Sequence, residues 1–445
     1  MVIVLNSTMG SSLPSQAIPF ITKDWGVEGQ NEQNLPISTY LVGYVFGPLI
    51  WGPMSEHFGR RWLLLGTFIC YCASVLACAL APSWSFLLAF RFLAGTFASS
   101  PLAITTGIFA DIYGEPVERG RAMAFFNATT ILGPIFAPII SGWTAPTIGW
   151  RWCFWIGLIY AVLSFILLCF LPETFSPRLL SNKATRMRKQ DSSLNVIAAS
   201  ERDPLTPTRF ITVILTRPIR MLVSESIVMC CSAYLSLVYA IFYMSFRAYP
   251  IIFQEFYSLS PGVTGLCFLP IGLGAICTLP VFYWYDSYLR RLRARHVPWA
   301  LREEARRLPL ACLGGPLFVV SLFWLGWTSR NGVHFVVPML AGLLFGFGFQ
   351  FIMMALLNYL SDAYEIYAAS AHAVASMCRS LLAVALPFAT LPLFDRLGIA
   401  GACSFLAGLS ALMCAIPFWF IWKGDEIRAG SKYCTALKQK SDTII

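Results

Sequence analysis

Charge is scarce in this chain. Only 12% of its 445 residues are Asp, Glu, Lys or Arg, against about 25% in soluble domains. With a mean hydropathy of +0.66, that shortage excludes a soluble enzyme with an ordinary polar surface and implies that lipid is the main solvent. Histidine is scarcer still. His57, His296, His334 and His372 form no H-x-x-H or H-E-x-x-H pair, so a zinc hydrolase site is not indicated. No G-x-S-x-G elbow and no G-x-x-x-x-G-K-[ST] loop occurs, which argues against a hydrolase and against direct ATP drive. None of the fourteen cysteines forms a C-x-x-C pair, and thirteen sit in apolar runs, where free Cys packs as a small hydrophobe. The chain is read as having no enzymatic function, no metal and no cofactor.

What is present is grease in lengths of a membrane crossing, roughly 20 residues each. Twelve runs stand out, near 1–21, 37–55, 62–81, 85–110, 121–143 and 151–171, then near 221–246, 260–283, 309–328, 334–360, 368–392 and 400–422. The first lacks a basic n-region and runs on apolar past any cleavage site, so it reads as a span and not as a signal peptide. The expected fold is an all-α polytopic membrane protein of two pseudo-symmetric six-helix bundles, 1–171 and 221–422. A polar, basic linker at 172–220 joins them, and a tail at 423–445 follows.

Lys and Arg orient the spans. With the first span starting in the cytoplasm, 25 of the 32 basic residues fall on the cytoplasmic side and three, Lys23, Arg330 and Arg396, on the other. Both termini are therefore expected in the cytoplasm. The net charge of +10 then faces anionic inner-leaflet lipid, so the bilayer is the expected partner and nucleic acid is not.

The two halves echo each other. Glu56 precedes Arg60 and Arg61 after the second span, and Asp286 precedes Arg290 and Arg291 in the same spacing after the eighth. Repeated halves are the usual build of a secondary transporter. In the turn WGPMSEHFGRRW, Gly52 and Gly59 permit tight backbone, and Glu56 is near enough to Arg60 and Arg61 to pair. Such a cluster suits a latch made in one conformation and broken in another; a basic turn obeying the charge rule is the plainer reading.

Residues 52–61 resemble the loop 2–3 signature of the major facilitator superfamily, with Glu56 in place of Asp and His57 at the next basic position. RFLAG at 91–95, ADIYGEPVERGRAMAF at 110–125, ILGPIFAPIISG at 131–142, GWRWCFW at 149–155, LPETFSP at 171–177 and NYLSDAYEIYAASAHAVASMCRS at 358–380 follow in order. Together they resemble the twelve-span fungal drug:proton antiporters, including multidrug and polyamine exporters. The resemblance implies a latch drawn from Gly52, Glu56, Gly59, Arg60, Arg61, Asp111 and Arg121. It implies a bent, export-associated fifth span carrying Gly133, Pro134, Pro138 and Gly142. It also implies a cavity lined by spans 1, 4, 7 and 10, with Asn6, Ser11, Ser12, Gln16, Ser99, Ser100, Thr105, Tyr234, Tyr239, Tyr243, Gln350 and Asn358 as candidates.

Arg91 and Arg379 stand inside spans, where an Arg costs about 2.5–3.5 kcal/mol on insertion scales. Each is a candidate for substrate or proton coupling, or a structural partner of backbone carbonyls. No acid falls mid-span: Glu56, Asp111, Glu225, Asp286, Asp362 and Glu365 all stand at span ends. The proton carrier is left open between Asp111, Glu225 and coupling through Arg91 with an acidic substrate. The expected activity is export of small organic molecules, neutral or anionic in preference to polyamines, driven by the proton gradient. The expected form is a monomer in the plasma membrane. A transporter-like sensor or a narrow-substrate transporter, polyamines included, is the alternative.

Overall fold

The structure is a computed structural model describing residues 1–29, 31–190, 216–302, 304–364, 367–431 and 435. Among the described residues there is helix and turn and no strand. Among the described residues, ten helical stretches are long and apolar enough to cross a bilayer. Two further crossings escape that count for local reasons. The first span is broken into Val2–Ser12 and Ile18–Asp24, because Pro14 cannot donate and its ring blocks the preceding turn. Spans 11 and 12 run together in the stretch Ala368–Gly424, separated only by Gly398, whose φ of 67° and ψ of 176° turn the chain without a loop.

The remaining spans are span 2 (Leu35–Phe58), span 3 (Arg60–Ala79), span 4 (Trp84–Ile112), span 5 (Pro116–Thr147) and span 6 (Arg151–Cys169). Span 7 (Ser226–Tyr249) continues as a π-helix, Pro250–Phe256. Span 8 is Leu269–Ala294 preceded by Pro261–Leu266, and spans 9 and 10 are Glu304–Thr328 and Val336–Tyr364. Within the expected linker, Ser176–Gln190 and Thr216–Ser224 are helical; residues 191–215 lie outside the described residues, as does most of the tail.

Packing repeats between the halves. Span 1 packs on 5, span 2 on 4 and span 3 on 6; span 7 packs on 11, span 8 on 10 and span 9 on 12. Spans 2 and 11, and spans 5 and 8, join the halves. The same residue type makes a close crossing in each half. A Cβ on Gly95 of span 4 would overlap the Tyr40 carbonyl of span 2, and one on Gly346 of span 10 would overlap the Ile271 carbonyl of span 8. Without a hydrophobic drive between helices in lipid, such small-residue contacts set how closely helices pack.

Candidate functional site

Two small cavities lie between the halves. The central one is lined from spans 5, 7, 10 and 11, by Asn127, Thr130, Pro134, Tyr239, Phe242, Tyr243, Phe349, Gln350, Met353 and Arg379 among others, and encloses about 20 Å³. The outer one is lined by Ser15, Gln16, Asn34, Tyr243, Arg247, Gln254, Pro387 and their neighbours, and encloses about 30 Å³. Each has room for water and little else. Tyr243 borders both. Its hydroxyl meets Ser11 Oγ at 2.8 Å across the two halves, and Tyr239 donates to it at 3.4 Å. Span 7 places Tyr239, Phe242, Tyr243 and Phe246 at i, i+3, i+4 and i+7, which sets them on one helix face; the Phe242 ring also meets Phe349 of span 10 at 5.0 Å.

Of the residues expected in the cavity, Tyr239, Tyr243, Gln350 and Arg379 line the central one and Gln16 the outer. Others go elsewhere. Asn6 is fully buried with both amide atoms unpartnered, its carbonyl accepting from Tyr71 of span 3, and Asn358 is buried with Nδ2 unpartnered; neither lines these two cavities. Tyr234 turns to Cys414 Sγ at 3.3 Å. Ser99 bonds its own helix, and Ser100 bonds Thr67. Thr105 lines neither cavity. Span 4 therefore contributes nothing to the lining, whereas spans 5 and 11 do. Asn127, Arg247 and Gln254 were not singled out from sequence; a polar residue one to two turns before Gly133-Pro134 and a basic residue inside an apolar run were the available signals.

Arg91 is buried and lies outside both cavities. Its Nε donates to the Pro36 carbonyl at 2.7 Å, Nη1 to Gly10 at 2.7 Å and Nη2 to Ser11 at 2.8 Å. The guanidinium also stacks on Tyr40 at 4.5 Å. The break in span 1 explains this cage. Pro14 has no N–H for the Gly10 carbonyl, and the Ser15 N–H turns to Ser12, which leaves the Ser11 carbonyl free as well. Arg91 replaces both donors, so the carbonyl-partner reading is the one its geometry matches.

Span 5 meets both neighbours through its small residues. A Cβ on Gly133 would strike Thr8 and the Leu5 carbonyl of span 1, and one on Gly142 would lie 2.5 Å from the Pro261 carbonyl ahead of span 8. Pro138 removes the helical donor of the Pro134 carbonyl. Ser12 Oγ of span 1 donates to that carbonyl instead, at 3.0 Å.

At the basic end, Arg60 Nε donates to Asp111 Oδ2 at 2.9 Å and Nη1 to Ser55 Oγ at 2.8 Å. The Glu173 carboxylate accepts the Arg60 N–H at 2.9 Å and the Arg61 N–H at 3.2 Å, neutralising orphan donors at the start of span 3. Gly59 has φ +92°, and a Cβ there would sit 2.6 Å from Glu173 Oε2. A Cβ on Gly52 would meet nothing, so no close approach requires glycine there. Arg61 Nη2 donates to the Cys169 carbonyl at 3.1 Å. The side chains of Glu56 and His57 lie outside the described residues; the partner found for Arg60 is Asp111.

The second half repeats this pair. Arg307, at the start of span 9, donates to Asp362, at the end of span 10, at 3.0 Å. Arg290, singled out by the echo of loop 2–3, instead pairs with Asp286 of its own helix at 3.5 Å. Asp286 also faces Arg121 of span 5 at 3.9 Å, a tie between the halves. Both acids considered as proton carriers are occupied: Asp111 by Arg60, and buried Glu225 by the Tyr364 hydroxyl at 3.0 Å and by Ser431.

At the opposite end, Arg247 Nη2 donates to Gln33 Oε1 at 2.7 Å, Gln254 Nε2 to Gln16 Oε1 at 2.5 Å and Asn34 Nδ2 to the Pro387 carbonyl at 3.3 Å. All three bonds cross between the halves. Contacts that cross between the halves thus lie on both sides of the central cavity.

A family model described as Major Facilitator Superfamily matches residues 1–387. Efflux pump FUB11 of Gibberella moniliformis is 36% identical over 432 residues, covering 96% of this chain and 72% of that protein. The citrinin biosynthesis cluster MFS transporter mrr1 of Monascus ruber is 37% identical over 440 residues, covering 96% and 85%. Among solved structures, the proton:xylose symporter XylE shares the fold with a TM-score of 0.68 at 17% identity, over 95% of this chain and 94% of that one.

Proposed function

This chain belongs to the major facilitator superfamily and is a membrane transporter, not an enzyme, and from that premise we propose that it exports a drug, toxin or secondary metabolite by alternating access, in exchange for protons. The observation that carries this reading is the central cavity on the boundary between two equivalent halves, flanked on each side by contacts that cross that boundary. Rocking the halves breaks one set while keeping the other, and the cavity opens to one side at a time. An export role is supported by the named efflux pumps among its relatives and by a fifth span softened by Pro134 and Pro138.

Arg60, Arg61, Asp111 and Arg121, with Gly52, Glu56 and Gly59, form the latch of the cytoplasmic end. The protein works as a monomer in the plasma membrane with both termini inside, and the proton gradient supplies the drive. The test is accumulation. Cells expressing the chain hold less of at least one compound in a panel of fluorescent hydrophobic dyes and endogenous metabolites than cells without it. Unchanged levels throughout, with the protein at the surface, contradict export.

A further inference from the structure

The two cavities share an electrostatic character. Each is lined by one guanidinium, Arg379 in the central cavity and Arg247 in the outer, and neither is lined by Asp or Glu. Arg379 differs from Arg91 in how it is held. Arg91 has three carbonyls at 2.7–2.8 Å. Arg379 has the face of the Tyr239 ring at 5.1 Å and one long bond to Ser376 Oγ at 3.5 Å, while its Nε–H has no acceptor. Around it, fully buried Gln350 lacks partners for both amide atoms, and Asn127, 6% exposed, lacks one for Nδ2. In the outer cavity Arg247 Nε, Gln16 Nε2 and Ser15 Oγ are likewise unpartnered. Buried polar groups are ordinarily satisfied, and an ionised one left bare is the most costly. The bare groups here are mostly N–H donors beside a positive charge, set among Tyr239, Phe242, Tyr243 and Phe349.

We infer that the substrate of this path is an organic monoanion, a carboxylate on an aromatic or amphipathic body, with Arg379 as its counter-ion. The inference rests on the export reading above and names its substrate class. The carboxylate accepts from the Arg379 fork, with Asn127 and Gln350 as further donors, and the aromatic wall covers the apolar body. An enclosed volume of about 20 Å³ admits no such body, so the anion enters when the halves part and fills the vacant acceptor positions as they close. Arg247 offers the next guanidinium on the way out. In the central cavity a polycation meets the Arg379 charge and no lining carboxylate; the Arg247 charge of the outer cavity is partly offset by nearby Glu255.

The test uses matched probes on the full chain purified in detergent: 1-naphthoate, 1-naphthamide and 1-naphthylmethylammonium, with the same three head groups on biphenyl. Binding is read by calorimetry. The carboxylates bind at least tenfold more tightly than the carboxamides, and the ammonium compounds do not bind. Arg379→Gln removes the carboxylate advantage, so that carboxylate and carboxamide of each pair bind alike. Should that variant fail to fold, Arg379→Lys carries the test, because it keeps the charge and loses the fork; the advantage falls to two- to fivefold.

Carboxamides equal to carboxylates, tighter ammonium binding, no carboxylate binding, or an advantage untouched by either variant overturns the proposal. Its failure is separable from that of the export reading. Dye or metabolite efflux with no carboxylate preference ends the anion assignment alone, whereas absence of all efflux ends the export reading.

Discussion

The hydroxyls of Ser11 and Tyr243 meet at 2.8 Å, one from each half, and Tyr243 borders both the central and the outer cavity. This contact and the Tyr243 ring form the partition between them. Tyr243→Phe removes the bond and keeps the ring, at a cost of about 1 kcal/mol or less to the closed form, and slows transport a fewfold. Tyr243→Ala removes the partition and joins the cavities. A cysteine-reactive, water-soluble reagent added from outside then reaches Gln350→Cys in the Ala variant and not in the parent.

Ser12 and Pro138 form a compensating pair, because the serine supplies the donor that the proline lacks. Ser12→Ala leaves the Pro134 carbonyl bare in the membrane interior and destabilises the protein by about 1–3 kcal/mol. Adding Pro138→Ala restores an N–H at the helical position, so the double variant recovers part of that loss. Thermal unfolding of the four proteins of this cycle in detergent measures the coupling; additive losses contradict it.

Arg60–Asp111 and Arg307–Asp362 are equivalent pairs in the two halves. Asp111→Asn and Asp362→Asn therefore depress efflux to a similar degree, about tenfold if each loses roughly 1.4 kcal/mol, at normal surface expression. Arg290→Ala, which removes a half-exposed side chain bonded only within its own helix and leaves Asp286 facing Arg121, changes efflux less than twofold. Efflux assays normalised to surface protein decide between the two sets.

Much of this was legible in the sequence, and the gaps have physical causes. The twelve crossings follow from run length, yet 1–21 looked like one rod because an apolar run does not report a break at Pro14. Arg60 was visible in the G-R-R turn, but its acid comes from another helix, 51 residues on, which periodicity along one helix cannot reveal. The repeat of Glu56-x-x-x-Arg60 as Asp286-x-x-x-Arg290 signals the two halves without naming the paired arginine, for the same reason: the pairing is between helix starts and ends, and Arg307 stands where span 9 begins. Cavity membership depends on the rotation of each span about its axis. Asn127 was therefore overlooked, while Ser99, on an expected lining helix, bonds its own backbone.

Arg91 and Arg379 separate by the kind of damage their loss does. Arg91→Gln leaves carbonyls of Pro36, Gly10 and Ser11 short of donors and loses charged hydrogen bonds worth about 1.5–3 kcal/mol each. The yield of folded protein falls steeply, and the molecules that do fold keep their substrate preference. Arg379→Gln leaves yield and thermal midpoint close to the parent and changes which compounds are exported. Size-exclusion profiles beside a substrate panel for both variants distinguish the roles; exchanged outcomes contradict them.

The central claim is that the two halves rock about the cavity, opening one end only while the other is shut. Paired cysteines test it most directly, with the native cysteines replaced: Gln16→Cys with Gln254→Cys at one end, and Arg121→Cys with Asp286→Cys at the other. The account predicts that a reducible bis-methanethiosulfonate cross-link at either end abolishes the transport that the same variant shows before cross-linking, and that reduction returns it to that level. Full transport with both bridges closed contradicts it.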